Sequence, residues 1–341
     1  MLKLFQSIFR PGADKLGSYP EDLIERAIER AVDGTDRRLR ALTGYKKRLR
    51  PAVIHAIDHV VGLVDNLPPP LELDGRNYGN DAELNAYFAS VDHMNEMLSR
   101  DAEMRAWQKS PGSAAAERVF AMLNMELHER NVLGVALEGN ELRHDVAQVT
   151  VSFSKHRMVD PTSVEDDTRR LLKRRAFDHL LTLALGGIAG AHGERGDLQH
   201  ERDLLRSKLA ALAAGHWGFG NDTDDEAAGE VPPDPRELEQ RIKNIDAQLS
   251  SLSTGLLQSH LDVLVEVLST AQQNLHGESS TLSIDRQGVK QSQPGAQATP
   301  ITLTTLRNSA GRSLVVRLTS IARADLPPPP DFLREAQRFL G

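Results

Sequence analysis

Leu238-Glu-Gln-Arg-Ile242-Lys-Asn-Ile245-Asp-Ala-Gln-Leu249-Ser-Ser-Leu252-Ser-Thr-Gly-Leu256 repeats its apolar residues at spacings of 4, 3, 4, 3 and 4. That is the heptad seam of a helix lying along another helix. Upstream, Leu198, Leu205, Leu209 and Leu212 recur at spacings of 7, 4 and 3, with Arg202 at the missing position. Two such seams joined by one connector predict a long antiparallel coiled-coil hairpin over residues 161–276. Pro161-Thr-Ser163 with Asp166 is a near capping box that opens it. The cluster Gly186, Gly187, Gly190, Gly193 and Gly196 lets the two backbones approach or marks a break, because glycine costs a helix about 1 kcal/mol relative to alanine.

The connector, residues 213–235, sets Trp217 and Phe219 among glycines and ahead of a run of acids. Trp and Phe anchor interfaces, so these two are the expected partner-binding residues. The plainer alternative is that they fold back and cap the end of the coil.

N-terminal to the hairpin, residues 18–145 read as a helical bundle. Ser18-Tyr-Pro20-Glu21 supplies an N-cap serine and a first-turn proline. Leu23, Ile24, Ala27, Ile28, Ala31 and Val32 then form a stripe, with breaks expected at Asp33-Gly34 and Pro51. Asp81–Trp107 and Ala114–Leu137 read as further helices, the second ended by Gly139-Asn140. Residues 146–160 hold a lone strand and a connector, because Val149, Val151 and Phe153 alternate with polar residues.

C-terminal to the hairpin, Thr281–Asp285, Ile301–Thr305 and Leu314–Leu318 alternate too, giving a small β module over 277–326. Residues 327–341 read as a proline spacer and a terminal helix carrying Phe332, Leu333, Phe339 and Leu340. The expected fold class is mainly α: an N-terminal helical bundle, a long antiparallel coiled-coil hairpin and a small C-terminal β-rich module.

Composition narrows the function classes. The chain has 341 residues, no cysteine, 4% aromatics and a net charge of −7. Zero cysteine removes disulfides, thiol catalysis and cysteine-ligated metal sites. No apolar run reaches the roughly 20 residues of a spanning helix, and cytoplasm is the default location. Residues 1–17 form a short amphipathic segment whose Phe5, Ile8 and Phe9 could dock on a membrane surface or a partner. Gln6 and Ser7 interrupt it too early for a secretory signal. Two basic runs, Arg37 to Arg50 and Arg169 to Arg175, carry leucine at helical spacing. They read as solvated helix faces, and nucleic-acid binding is not expected from an acidic chain poor in stacking aromatics.

Few residues suggest chemistry. His55, Asp58 and His59 lie within one helical turn or so and could ligate a metal. His93 with Glu96, and Glu141 with His144, have the spacing of carboxylate-bridged di-metal bundles. With 12 histidines and 48 acids such spacings also arise by chance. Gly187, Gly190 and Gly193 lack the strand and Gly-Lys-Ser/Thr of a phosphate loop. No Gly-x-Ser-x-Gly, His-Glu-x-x-His or kinase-like set occurs. The reading is therefore a non-enzymatic scaffold or adaptor that needs no cofactor. It would contact a protein partner, or a second copy of itself, through the hairpin. The alternatives are a metal-dependent helical enzyme using His55 and His59, and a peripheral membrane protein docking by residues 1–10.

Overall fold

A computed structural model describes residues 19–138, 141–213, 234–285, 287–291 and 298–328. In chain order it contains α1 (Glu21–Asp33), α2 (Tyr45–Asp65), β1 (Leu71–Glu72), α3 (Ala82–Tyr87), α4 (Val91–Arg100) and α5 (Ala102–Gln108). β2 (Arg118–Glu138), β3 (Glu141–Thr162), α6 (Glu165–Ala213) and α7 (Pro235–Ser269) follow. α8 (Ala271–Asn274), β4 (Leu275–Ile284), β5 (Thr299–Asn308) and β6 (Ser313–Ala322) complete it. The chain divides into two compact units. Of the described residues, the first draws on Tyr19, 55–178 and 270–328, the second on Pro20–Ile54 and His179–Ser269.

The first unit is built on a sheet of order β3-β2-β6-β5-β4, antiparallel along that path, with β1 parallel to β6. Both faces of its middle are buried. Val119, Ala121, Leu123 and Met125 of β2 join a core with Leu84, Tyr87, Phe88, Met94, Leu98 and Met104 of helices α3 to α5. Met122, between them, packs with Val64, Leu67, Leu172 and Leu318 in a second core. The edge strands β3 and β4 are also linked, because Val289 bridges Thr150 and Lys290 bridges Ile284.

The short helices start where their caps fall. Asp81, Ser90 and Asp101 each accept backbone N–H groups at the start of α3, α4 and α5. Asp101 does a second job: its other carboxylate oxygen accepts the Met158 N–H of β3 at 3.1 Å. Glu103 likewise accepts the Asp160 N–H at 2.8 Å. Asp160 has φ 53°, the left-handed region, and its carboxylate is held by Arg175 at 2.8 Å. Asp145 and Lys155 share that conformation, with φ of 61° and 54°. All three sit where the β2–β3 register shifts, so each is an extra residue that bulges and coils the strand.

The second unit is helical. His260, buried in α7, donates its Nδ1–H to Asp36 at 2.8 Å, and Arg48 pairs with Asp262. A Cβ at Gly34 would lie 3.0 Å from Leu181, and one at Gly187 would lie 3.1 Å from Val263. Leu205, Leu238, Ile242, Ile245 and Leu249 form a buried cluster with Leu198 and Leu209 against it.

The mainly α expectation is corrected by this architecture. A sizeable sheet is present as well as helices, and among the described residues of 161–276 no long coiled-coil hairpin is shown. The heptad leucines make one local cluster, while both ends of the stretch are committed elsewhere. At its start, Thr168 donates to the Phe120 carbonyl at 2.9 Å and Leu172 joins the core under the sheet. At its end, Leu275 begins β4. Along α7, His260 is tied to the turn before α2. The small separate β module is corrected as well, because β6 pairs with β2 over Arg118–Met125 and merges the C-terminal strands with the long hairpin.

The N-terminal helical bundle fails in its second half. Ala114–Leu137, expected as helix, is mostly β2, and Asp81–Trp107 is three helices, split at Ser90 and Asp101. Pro51, expected to break the chain, lies inside α2, where it forgoes one backbone bond. The terminal residues 329–341 lie outside the described residues.

Candidate functional site

From Met125 onward β2 leaves β6. Its pairing with β6 stops at Met125↔Val315, while pairing with β3 runs on to Glu138↔Glu141. The result is a two-stranded ribbon, and among the described residues no strand pairs with the second edge of β2 beyond Met125. Directly opposed residues of an antiparallel pair share a face. One face of the ribbon therefore carries Leu127/Phe153, Glu129/Val151, Asn131/Val149 and Leu133/Ala147.

That face runs out of the core into solvent. Phe153 and Val151 are 8% exposed and belong to the main core. Leu127 is 38% exposed and Leu133, further along, 72%. On the opposite face Val132 is also exposed, and the Gln148 side chain lies over Gly134, where a Cβ would collide with it.

The ribbon is latched at its base. The Val151 N–H donates to the Gly288 carbonyl and the Lys290 N–H to the Val149 carbonyl, both at 2.8 Å. Lys290 Nζ reaches Glu129 at 2.8 Å, and Lys155 reaches Glu126 at 2.9 Å. Gly288 has φ 77°, and a Cβ there would sit 3.0 Å from the Val151 carbonyl, so the latch turn requires glycine. Asp285 closes it by accepting the N–H groups of Gln287 and Val289 at 2.9 Å.

The residues singled out from sequence are placed differently. His55 donates to Gln272 at 2.8 Å, His59 to the Leu275 carbonyl, and Asp58 accepts the Tyr19 hydroxyl at 2.6 Å. The three thus hold three separate structural hydrogen bonds. Among the described residues no group of three or more His, Asp or Glu is arranged to hold a metal ion. Glu96 pairs with Arg100, and His93 lies edge-on to His156 at 5.2 Å. Glu141 begins β3, which also contains His144, so neither lies on a helix. Gly187, Gly190 and Gly193 lie inside α6. Trp217, Phe219, Phe5, Ile8 and Phe9 lie outside the described residues.

Both basic runs meet acids. Arg40 and Lys46 share Glu29, Arg48 pairs with Asp262, Arg50 with Glu21, Lys173 with Asp65 and Arg175 with Asp160. His156 donates to the Tyr87 carbonyl at 2.7 Å and stacks on Phe88, and burial pushes its pKa down. Among the described residues, no helix is long and apolar enough to cross a membrane.

The sequence reading missed Leu127 and Leu133 because it assigned them to a helix. Gly139-Asn140, taken above as the end of that helix, is in sequence equally a turn dipeptide, and the runs on either side of it are both strand. Comparison with protein-family models, with curated proteins and with solved structures returned no match.

Proposed function

We propose that this chain is a non-enzymatic scaffold or adaptor of the cytoplasm, and that the β2–β3 ribbon is where it binds a protein partner. The observation that carries the reading is Leu133, 72% exposed on the same face as buried Phe153 and Val151. An apolar surface held in water on a built element marks an interaction site more often than a scattered surface leucine does. The ribbon offers two features that work together: an apolar face and, on β2 beyond Met125, a strand edge. An extended apolar segment of another protein would add along that edge and cover the face. Fully covering an exposed leucine side chain contributes about 1.5–3 kcal/mol, and what Leu127 and Leu133 still expose sums to about one such side chain, worth about tenfold in affinity or more. Trp217 and Phe219 form a second proposed contact, supported by residue type alone.

Parallel affinity capture from the native cell separates these surfaces. Wild type, Leu127→Asp plus Leu133→Asp, and Trp217→Ala plus Phe219→Ala would be compared by mass spectrometry. A protein retained by wild type and by the Trp217/Phe219 variant, but lost with the ribbon variant, supports the ribbon. Equal recovery with all three removes both surfaces.

A further inference from the structure

The end of α5 and the turn after β6 enclose a groove of about 330 Å3. Its polar side is Arg105, Lys109 and Arg323; its apolar wall is Leu326, Pro327 and Pro328. Gln108 closes one side, its Nε2 donating to the Pro327 carbonyl at 3.5 Å. Among the described residues no carboxylate lines it. Of the described acids near these residues in sequence, Asp325 pairs with Arg76 at 3.2 Å and Glu103 with Arg175 at 3.3 Å.

The Arg105 Nε–H is buried without a hydrogen-bond partner among the described residues. Arg323 gives one guanidinium N–H to the Ser113 carbonyl. Three like charges at one groove repel one another, and a buried unsatisfied donor costs about 1–3 kcal/mol. An oxyanion bound among the three cations would relieve their repulsion.

The C-terminal carbonyls of α5 do not oppose such a ligand strongly, because they are already used. Lys109 N–H donates to the Arg105 carbonyl, Ser110 N–H to that of Trp107 and Ser113 Oγ–H to that of Gln108. We propose that this groove binds an organic phosphate, its phosphoryl group on Arg105, Lys109 and Arg323 and its organic body against Leu326, Pro327 and Pro328. A phosphoryl group brings a charge near −2 and three acceptor oxygens, which match three cations better than a single carboxylate does.

Calorimetric titration of the full chain at low ionic strength tests this with three probes: phenyl phosphate, inorganic phosphate and benzoate. Phenyl phosphate should bind tightest. Lys109→Glu and Arg105→Gln should each weaken it tenfold or more with an unchanged circular dichroism spectrum. Lys109 is exposed, so its variant decides the matter even if the Arg105 variant fails to fold. Absence of phenyl phosphate binding at millimolar concentration would overturn the proposal. Benzoate binding as tightly, or Lys109→Glu binding like wild type, would overturn it too. The groove is independent of the ribbon, so either can fail alone.

Discussion

His260, buried in α7, and Asp36, 224 residues earlier, are joined by one hydrogen bond of 2.8 Å from the imidazole Nδ1–H to the carboxylate. Asp36 also accepts the Arg38 N–H at the start of the 3-10 turn Arg37–Ala41. One side chain thus caps a turn and fixes a helix of the second unit.

Asp36→Ala should therefore destabilise the protein by about 2–4 kcal/mol. Loss of the cap contributes about 1, and the buried histidine donor left without its acceptor about 1–3. Asp36→Asn keeps an acceptor and should cost less. Urea unfolding followed by circular dichroism measures both. The Arg38 side chain, with burial opposing it and His260 helping, holds the Asp36 carboxyl well below the usual range. This stabilisation is present above the ordinary carboxylate value of about 3.9 and is lost as pH falls through the lower folded value. The gap between wild type and Asp36→Ala should then narrow below about pH 4.

Acid sensitivity should also appear nearer neutrality. Burial lowers the pKa of His156 and of His179 below 6.5. As pH falls through 6.5 the unfolded chain binds protons first, so stability is full above that value and declines towards the folded pKa values. The thermal midpoint should hold steady from pH 8 to 7 and fall by pH 5. His156→Gln retains a donor for the Tyr87 carbonyl and should flatten that fall. An unchanged slope would show that His156 does not contribute.

The latch at Gly288 gives a local prediction. Gly288→Ala places an L side chain at φ 77° and a Cβ 3.0 Å from a carbonyl, which should cost about 1–2 kcal/mol. Amide hydrogen exchange at Val151 and Lys290, whose N–H groups close the latch, should speed up more than exchange at Val315 in the sheet centre. Uniform acceleration would mean that the turn does not hold the ribbon separately.

How far the residues announced all this depends on which face each element buries. The stripe Leu23 to Val32 is buried on one side of α1, and single-sided burial is what helical periodicity reports. Thr281–Asp285, Ile301–Thr305 and Leu314–Leu318 fall in or against β4, β5 and β6, where alternation was visible. β2 is different. Val119, Ala121, Leu123 and Met125 bury one face and Met122 the other, so polar residues do not alternate there. Its Met, Leu, Ala and Glu are good helix formers, and sheet burial overrode that propensity. The heptad leucines do cluster, but periodicity could not show that α6 begins under the sheet. Leu133 was hidden by the same misassignment, and the groove at Arg105 joins residues more than 200 positions apart.

The ribbon face is proposed above as a surface that another protein covers. The most direct measurement is the affinity of an isolated captured partner for wild type and for Leu127→Asp plus Leu133→Asp, alongside the unfolding midpoints of both. A loss of affinity of about tenfold or more is expected, with stability lowered by no more than about 2 kcal/mol, because Leu133 is exposed and Leu127 only partly buried. Undiminished affinity in the folded variant, or a large loss of stability showing that these leucines hold the protein together, would contradict it.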